Sequence, residues 1–289
     1  MSDFREDIKK SLLEKRKLSD STLRTYSSVL FNVADKLGEK HLGIFTEQKS
    51  KVLEYVNGLE KPQTRKTILS ALFVLTGEKD YQDKMKEDID VVNKHYSTRK
   101  MDAKREEKKI PFAEVKEINA RLLREHQASP YDREKLQNYI ISMLCSGEHI
   151  SPRRLLDWIS MKIKNYDKKT ENYILGNKFY FNKYKTSKLY GLQTIEIPPA
   201  VKAMINKLKK LNPPTSDYLL NNRKGEPLTS SGLNKILTSI YGFSVDMLRS
   251  IFLTDEVYDD DLLKKLEKTA SEMGHSLAAQ KMFYVKDNN

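Results

Sequence analysis

The chain has 289 residues, 38% of them hydrophobic, with only 11 Gly and 9 Pro; this excludes a mainly disordered chain and favours long helices over a turn-rich β fold. Lys and Arg number 52 against 40 Asp and Glu, a formal net charge of +12, which suits a polyanionic partner without requiring one. The one cysteine, Cys145, stands in an apolar run, which excludes a disulfide framework, fits a reducing compartment and reads as a small core residue. No run approaches the roughly 18 consecutive apolar residues of a membrane span. The start, from Met1 to Asp7, is acidic and polar, unlike a secretory signal. A soluble intracellular protein with no membrane partner is expected.

The first hundred residues read as a run of helices. After Ser19, a natural N-cap, Leu23, Tyr26, Leu30, Val33 and Leu37 recur at steps of three and four, and Gly38 closes the helix. Further helices are expected over about 45–58, over 63–76 between Pro62 and Gly77, and over 79–95. Short connections imply a small antiparallel bundle. Residues 94–109 then hold Lys94, Arg99, Lys100, Lys104, Arg105, Lys108 and Lys109 with almost nothing apolar. Such a run is either a solvated linker or a grip on a polyanion. Pro111 marks the return of apolar periodicity, so the domains are expected to be 1–100 and 112–289, joined by a basic linker at 101–111. Both sides are basic, with 24 cationic against 19 anionic side chains before residue 111 and 28 against 21 after it.

The second half mixes elements. Helices are expected at about 112–126 and 131–145 and again after Pro152. Three short strand candidates follow: Tyr173 to Leu175, Lys178 to Phe181, and Thr194 to Ile197. Helices over about 199–210, 229–240, 244–257 and 259–272 close the chain, with a short one carrying Tyr284.

Three features carry chemistry. In Ser151-Pro152-Arg153-Arg154 two arginines open a helix, where a cation opposes the macrodipole by up to about 1 kcal/mol. Either a bound anion such as phosphate compensates, or this is a surface pair. From 178 to 195, Lys178, Lys183, Lys185 and Lys188 alternate with Tyr180, Tyr184 and Tyr190, with no acidic residue. A hairpin there presents a basic tip to a nucleic-acid backbone, or shields a sheet edge from aggregation. Last come Asp246-Met247-Leu248-Arg249, Gly274-His275 and, nine residues on, Tyr284. A tyrosine hydroxyl, with a reference pKa of about 10, attacks well only where cations stabilise the oxyanion and the phosphate.

In this order (Arg, hairpin Lys, Arg, His, C-terminal Tyr) the chain resembles the tyrosine recombinase (phage integrase) family. Arg154 with Asp157 and Met161-Lys162 resembles the family's first-arginine helix, with Arg153 as an alternative. Lys185 in Tyr184-Lys185-Thr186 resembles the hairpin lysine, Leu248-Arg249 the second arginine, Gly274-His275-Ser276 the histidine turn and Tyr284 the nucleophile. Ser21 to Tyr26 resembles, more weakly, the helical core-binding domain. The chain departs from the family at Asp246, an auxiliary catalytic position that usually holds His or Lys, and in the segment between Gly147 and Arg154.

The resemblance implies a mainly α fold with a small antiparallel β-sheet, a helical DNA-clamping domain and a catalytic domain. It implies a site-specific recombinase that cleaves and rejoins DNA through a 3′-phosphotyrosyl intermediate. Arg154, Arg249 and His275 would hold the phosphate, Lys185 would be the general acid and Tyr284 the nucleophile. Lys183, Lys188, Arg99, Lys100, Lys104 and Arg105 would bind DNA. The implied partner is double-stranded DNA, held by a homotetramer on paired sites that is a monomer or dimer away from DNA. No cofactor or metal is expected. A type IB topoisomerase shares the residue set, and a non-catalytic DNA-binding derivative would account for Asp246.

Overall fold

The computed structural model describes residues 4–98, 100–258 and 260–273. The chain divides into two compact units, Met1–Met101 and Asp102–Asn289.

The first unit is all helix: α1 (Phe4–Lys15), α2 (Asp20–Lys36), α3 (Ile44–Glu47), α4 (Lys49–Asn57), α5 (Pro62–Thr76) and α6 (Lys79–Ser97). Local chemistry sets several of the boundaries. The Ser19 hydroxyl accepts from the Thr22 amide at the start of α2, and Gly77 closes α5 in the left-handed region at φ 76°. The single helix expected over 45–58 is instead two, because Gln48 leaves helical geometry at φ −115°, ψ 38°. Helices α1, α2, α4 and α5 bury one apolar cluster that includes Ile8, Leu12, Leu30, Val33, Val56, Leu69 and Leu72. Tyr81 joins it from α6 by donating to the Phe45 carbonyl at 2.7 Å. Beside it, Arg65 forks onto the buried Asp88 carboxylate, with Nε 3.0 Å from Oδ1.

The second unit begins with α7 (Ala103–Glu106), a single exposed turn inside the basic stretch. Then follow α8 (Phe112–Ala128), α9 (Arg133–Cys145), α10 (Leu155–Ile159), β1 (Tyr173–Leu175), β2 (Lys178–Phe181), α11 (Ser187–Tyr190), β3 (Gln193–Glu196), α12 (Pro199–Leu211), α13 (Ser230–Tyr241), α14 (Val245–Phe252) and α15 (Asp260–Glu272). It is a mainly α unit with one small antiparallel sheet. Asp132 caps α9 by accepting from the Glu134 and Lys135 amides, and Thr229 caps α13 through the Gly232 amide. Helix α9 is buried almost all round, from Leu136 to Cys145. Burial pushes the Cys145 thiol up to about 12, so it behaves as an apolar core group.

The sheet order is β1-β2-β3, with Tyr173 opposite Tyr180 and Phe181 opposite Gln193. Its inner face places Phe179 and Phe181 edge-on against Trp158 of α10, with ring centroids 5.1 and 5.2 Å away. On the outer face Tyr166, Tyr173 and Tyr180 stack in a column at 4.4 and 4.6 Å. The helix expected over 244–257 changes character at its end. Leu253–Val257 forms a π-helical turn whose Asp255 accepts from the Phe112 amide at 3.0 Å, capping α8 from a distant part of the chain. Among the described residues no single helix is long and apolar enough to cross a membrane. The apolar stretches of α13 and α14 bury Leu233, Leu237, Leu248 and Ile251 in the core.

Candidate phosphate-binding cleft

Residues 146–154 lead from the end of α9 to α10 and carry both candidate arginines. The turn at Gly147 takes φ 100°, and a Cβ there would run into the Phe252 ring of α14. Only glycine allows that approach. It ties the segment bearing Arg153 and Arg154 to the helix bearing Arg249.

All three arginines line one cleft of about 300 Å³, together with Ser151, Pro152, Asp157, Tyr184, Thr186, Tyr190, Gln193 and Ile195. Their environments differ. Arg153 Nε donates to Asp157 Oδ2 at 2.9 Å, and its Nη1 donates to Gln193 Oε1 at 2.9 Å. Its guanidinium lies 4.0 Å from the Phe181 ring centroid and 5.3 Å from that of Tyr184. Arg154 is the N-cap residue of α10, half-buried, with no side-chain hydrogen bond or ion pair among the described residues. Among the described residues Arg249 makes only a long, exposed contact, Nη1 to Asp246 Oδ1 at 3.5 Å. The cleft thus holds one committed guanidinium and two that can still take an anion.

Beneath them Asp157 is buried, and its Oδ1 has no hydrogen-bond partner among the described residues. Burial pushes its carboxyl up, while the charges of Arg153, Arg154 and Arg249 pull it back down; burial is the larger effect. Asp157 stands three residues after Arg154, but its hydrogen bond comes from Arg153, one helical turn away.

The connection between β2 and β3 spans 182–192 and holds the short α11. The Tyr184 hydroxyl donates to the Gly191 carbonyl at 2.7 Å, closing its base. Lys183, Lys185 and Lys188 are all exposed on it. Lys185 does not line the cleft, although its neighbours Tyr184 and Thr186 do. Lys183 faces a second, polar hollow with Lys162, Glu171, Asn172 and Tyr218. Lys100, Lys104 and Arg105 are exposed. Arg99, His275 and Tyr284 lie outside the described residues. Sequence reasoning did not single out Gln193 or Phe181 as site residues, because Phe181 read as part of a strand and Gln193 stood just before one; Tyr184 entered only as an aromatic neighbour of the hairpin lysines.

No family model matches the chain, and no curated protein matches it. Solved structures are similar to it. A lambda integrase dimer bound to a COC′ core site is 18% identical with a TM-score of 0.49, over 98% of this chain and 94% of that one. A second structure of a lambda integrase dimer on a COC′ core site is 16% identical with a TM-score of 0.49, over 99% and 79%. XerA recombinase is 12% identical with a TM-score of 0.35, over 99% and 94%. Lambda integrase and XerA are tyrosine recombinases, the family that the motifs of this chain resemble.

Proposed function

We propose that this chain is a site-specific DNA recombinase that cuts and rejoins DNA strands through a 3′-phosphotyrosyl link on Tyr284. The observation that carries the reading is the cleft that brings together Arg154, without a side-chain partner among the described residues, and Arg249, held only by a long contact to the exposed Asp246, beside a lysine-bearing connection. Two such groups match the two non-bridging oxygens of a phosphodiester and stabilise the charge that builds on them during transfer.

In the proposed step the Tyr284 hydroxyl gives up its proton to water as its oxygen bonds to phosphorus, and the bond to the 5′ oxygen breaks. Lys185 gives its proton to that leaving oxygen, and His275 adds a further donor to the phosphate. The reverse reaction with a different 5′-hydroxyl joins a new strand, and the phosphotyrosyl bond conserves the energy of the original linkage. Lys183, Lys188, Arg99, Lys100, Lys104 and Arg105 would contact the duplex backbone, and four protomers would act on two sites. Asp246 is exposed, so its long contact to Arg249 yields readily to a phosphate.

The test uses a nicked duplex that traps the covalent intermediate, built from DNA on which the wild-type chain cleaves. Tyr284→Phe is expected to bind this DNA and form no adduct; an adduct formed by that variant removes Tyr284 from the nucleophile role. Strand exchange between paired sites, run beside supercoil relaxation, separates recombinase from topoisomerase.

A further inference from the structure

Arg153 touches both ends of the β2–β3 connection. At the β2 end its guanidinium covers the Phe181 ring at 4.0 Å and the Tyr184 ring at 5.3 Å. At the β3 end its Nη1 donates to Gln193 Oε1 at 2.9 Å. Phe181 and Gln193 are register partners, so the loop 182–192 stands with both feet on one planar cation. The third side of that cation is fixed by Asp157.

This use is specific to arginine. A guanidinium stacks its face on rings while its edge donates in several directions, and an ammonium does not do both. The contacts are also sheltered, with side-chain exposures of 16% for Arg153 and 4% for Asp157, so water competes for them poorly. Binding a phosphate through Arg153 would break this set, whereas Arg154 beside it breaks nothing.

We infer that Arg153 is a positioning residue, which holds the feet of the 182–192 connection and so sets the reach of Lys185 toward the leaving 5′ oxygen. The inference rests on the strand-transfer reading above. A general acid acts only at hydrogen-bonding distance, and a shift of about 1 Å in a reacting group costs on the order of a hundredfold. Where the leaving atom is sulfur it departs as a thiolate and needs no proton, so the placement of the acid ceases to matter.

The experiment compares two duplexes of the same sequence around the wild-type cleavage position, one with a 5′-bridging oxygen and one with a 5′-bridging sulfur. Arg153→Gln and Arg153→Lys are expected to cleave the oxygen duplex about tenfold to a hundredfold more slowly than wild type, a loss within the range of a misplaced general acid. On the sulfur duplex both are expected to recover nearly fully. Fluorescence of Trp158, which packs against Phe181, reports whether each variant is folded. Gln193→Leu, which loosens only one foot, carries the same comparison if the Arg153 variants unfold. Equal slowing on both duplexes, in whichever variant is folded, overturns the inference while the strand-transfer reading stands. A wild-type chain that forms no covalent adduct on either duplex overturns both.

Discussion

Arg153 and Asp157 pair across one helical turn, Nε to Oδ2 at 2.9 Å, and this pairing leaves the adjacent Arg154 guanidinium without a partner among the described residues. Two neighbouring arginines therefore stand differently, one committed inside the fold and one still able to take an anion.

The division predicts opposite phenotypes. Arg154→Ala is expected to leave stability within about 0.5 kcal/mol of wild type and to lower the salt dependence of DNA binding by about one phosphate contact. Arg153→Ala leaves Asp157 buried beside an empty site and is expected to cost about 3 kcal/mol. Urea melts and binding titrations over a salt series read both, and a destabilised Arg154→Ala would reverse the assignment.

Asp157 predicts a pH dependence. Its folded carboxyl titrates above the unfolded one, with burial as the larger cause, so the native state binds the proton more tightly. The stability it contributes is full below the ordinary carboxylate range and is lost as pH rises through the raised folded value. The stability of wild type relative to Asp157→Asn is therefore expected to fall between about pH 3.5 and pH 7. Urea melts at the two pH values check the sign, and a rise would contradict it.

Asp246 is 73% exposed at 3.5 Å from Arg249. Asp246→Asn is expected to change stability by less than about 1 kcal/mol and to tighten DNA binding at low salt, because one anion leaves the cleft rim. Weaker binding would mean that Asp246 orients Arg249 productively.

Gly147→Ala is expected to destabilise the second unit by about 2–4 kcal/mol, combining a left-handed backbone with overpacking. Its Cβ meets the Phe252 ring on the helix that carries Arg249. Thermal melts measure the loss, and Phe252→Ala in the same chain is expected to relieve part of it, leaving the backbone strain.

The helix ends marked by Ser19, Gly38 and Gly77, and all three strands, were legible because capping and short aromatic or β-branched runs between turns are local signals. The break at Gln48 was not, since neither glycine nor proline announces it. Nor was α11, because residues 182–192 show no apolar period. In the cleft, the sequence singled out the arginine pair and Arg249 but did not say which arginine hydrogen-bonds Asp157. That pairing depends on which way each side chain leaves the backbone at the start of α10, and sequence separation does not encode that direction. Tyr284, His275 and Arg99, outside the described residues, rest on sequence alone.

The three strands are only three or four residues long, and their outer face is held by the column of Tyr166, Tyr173 and Tyr180. Rings stacked in this way fix the phase of the strands. One residue added within 173–181 would turn the next ring to the opposite face and break the column. Length added between 182 and 192 disturbs no ring in it, so a change in the lysine-bearing loop would move Lys185 while leaving the sheet platform beneath it the same.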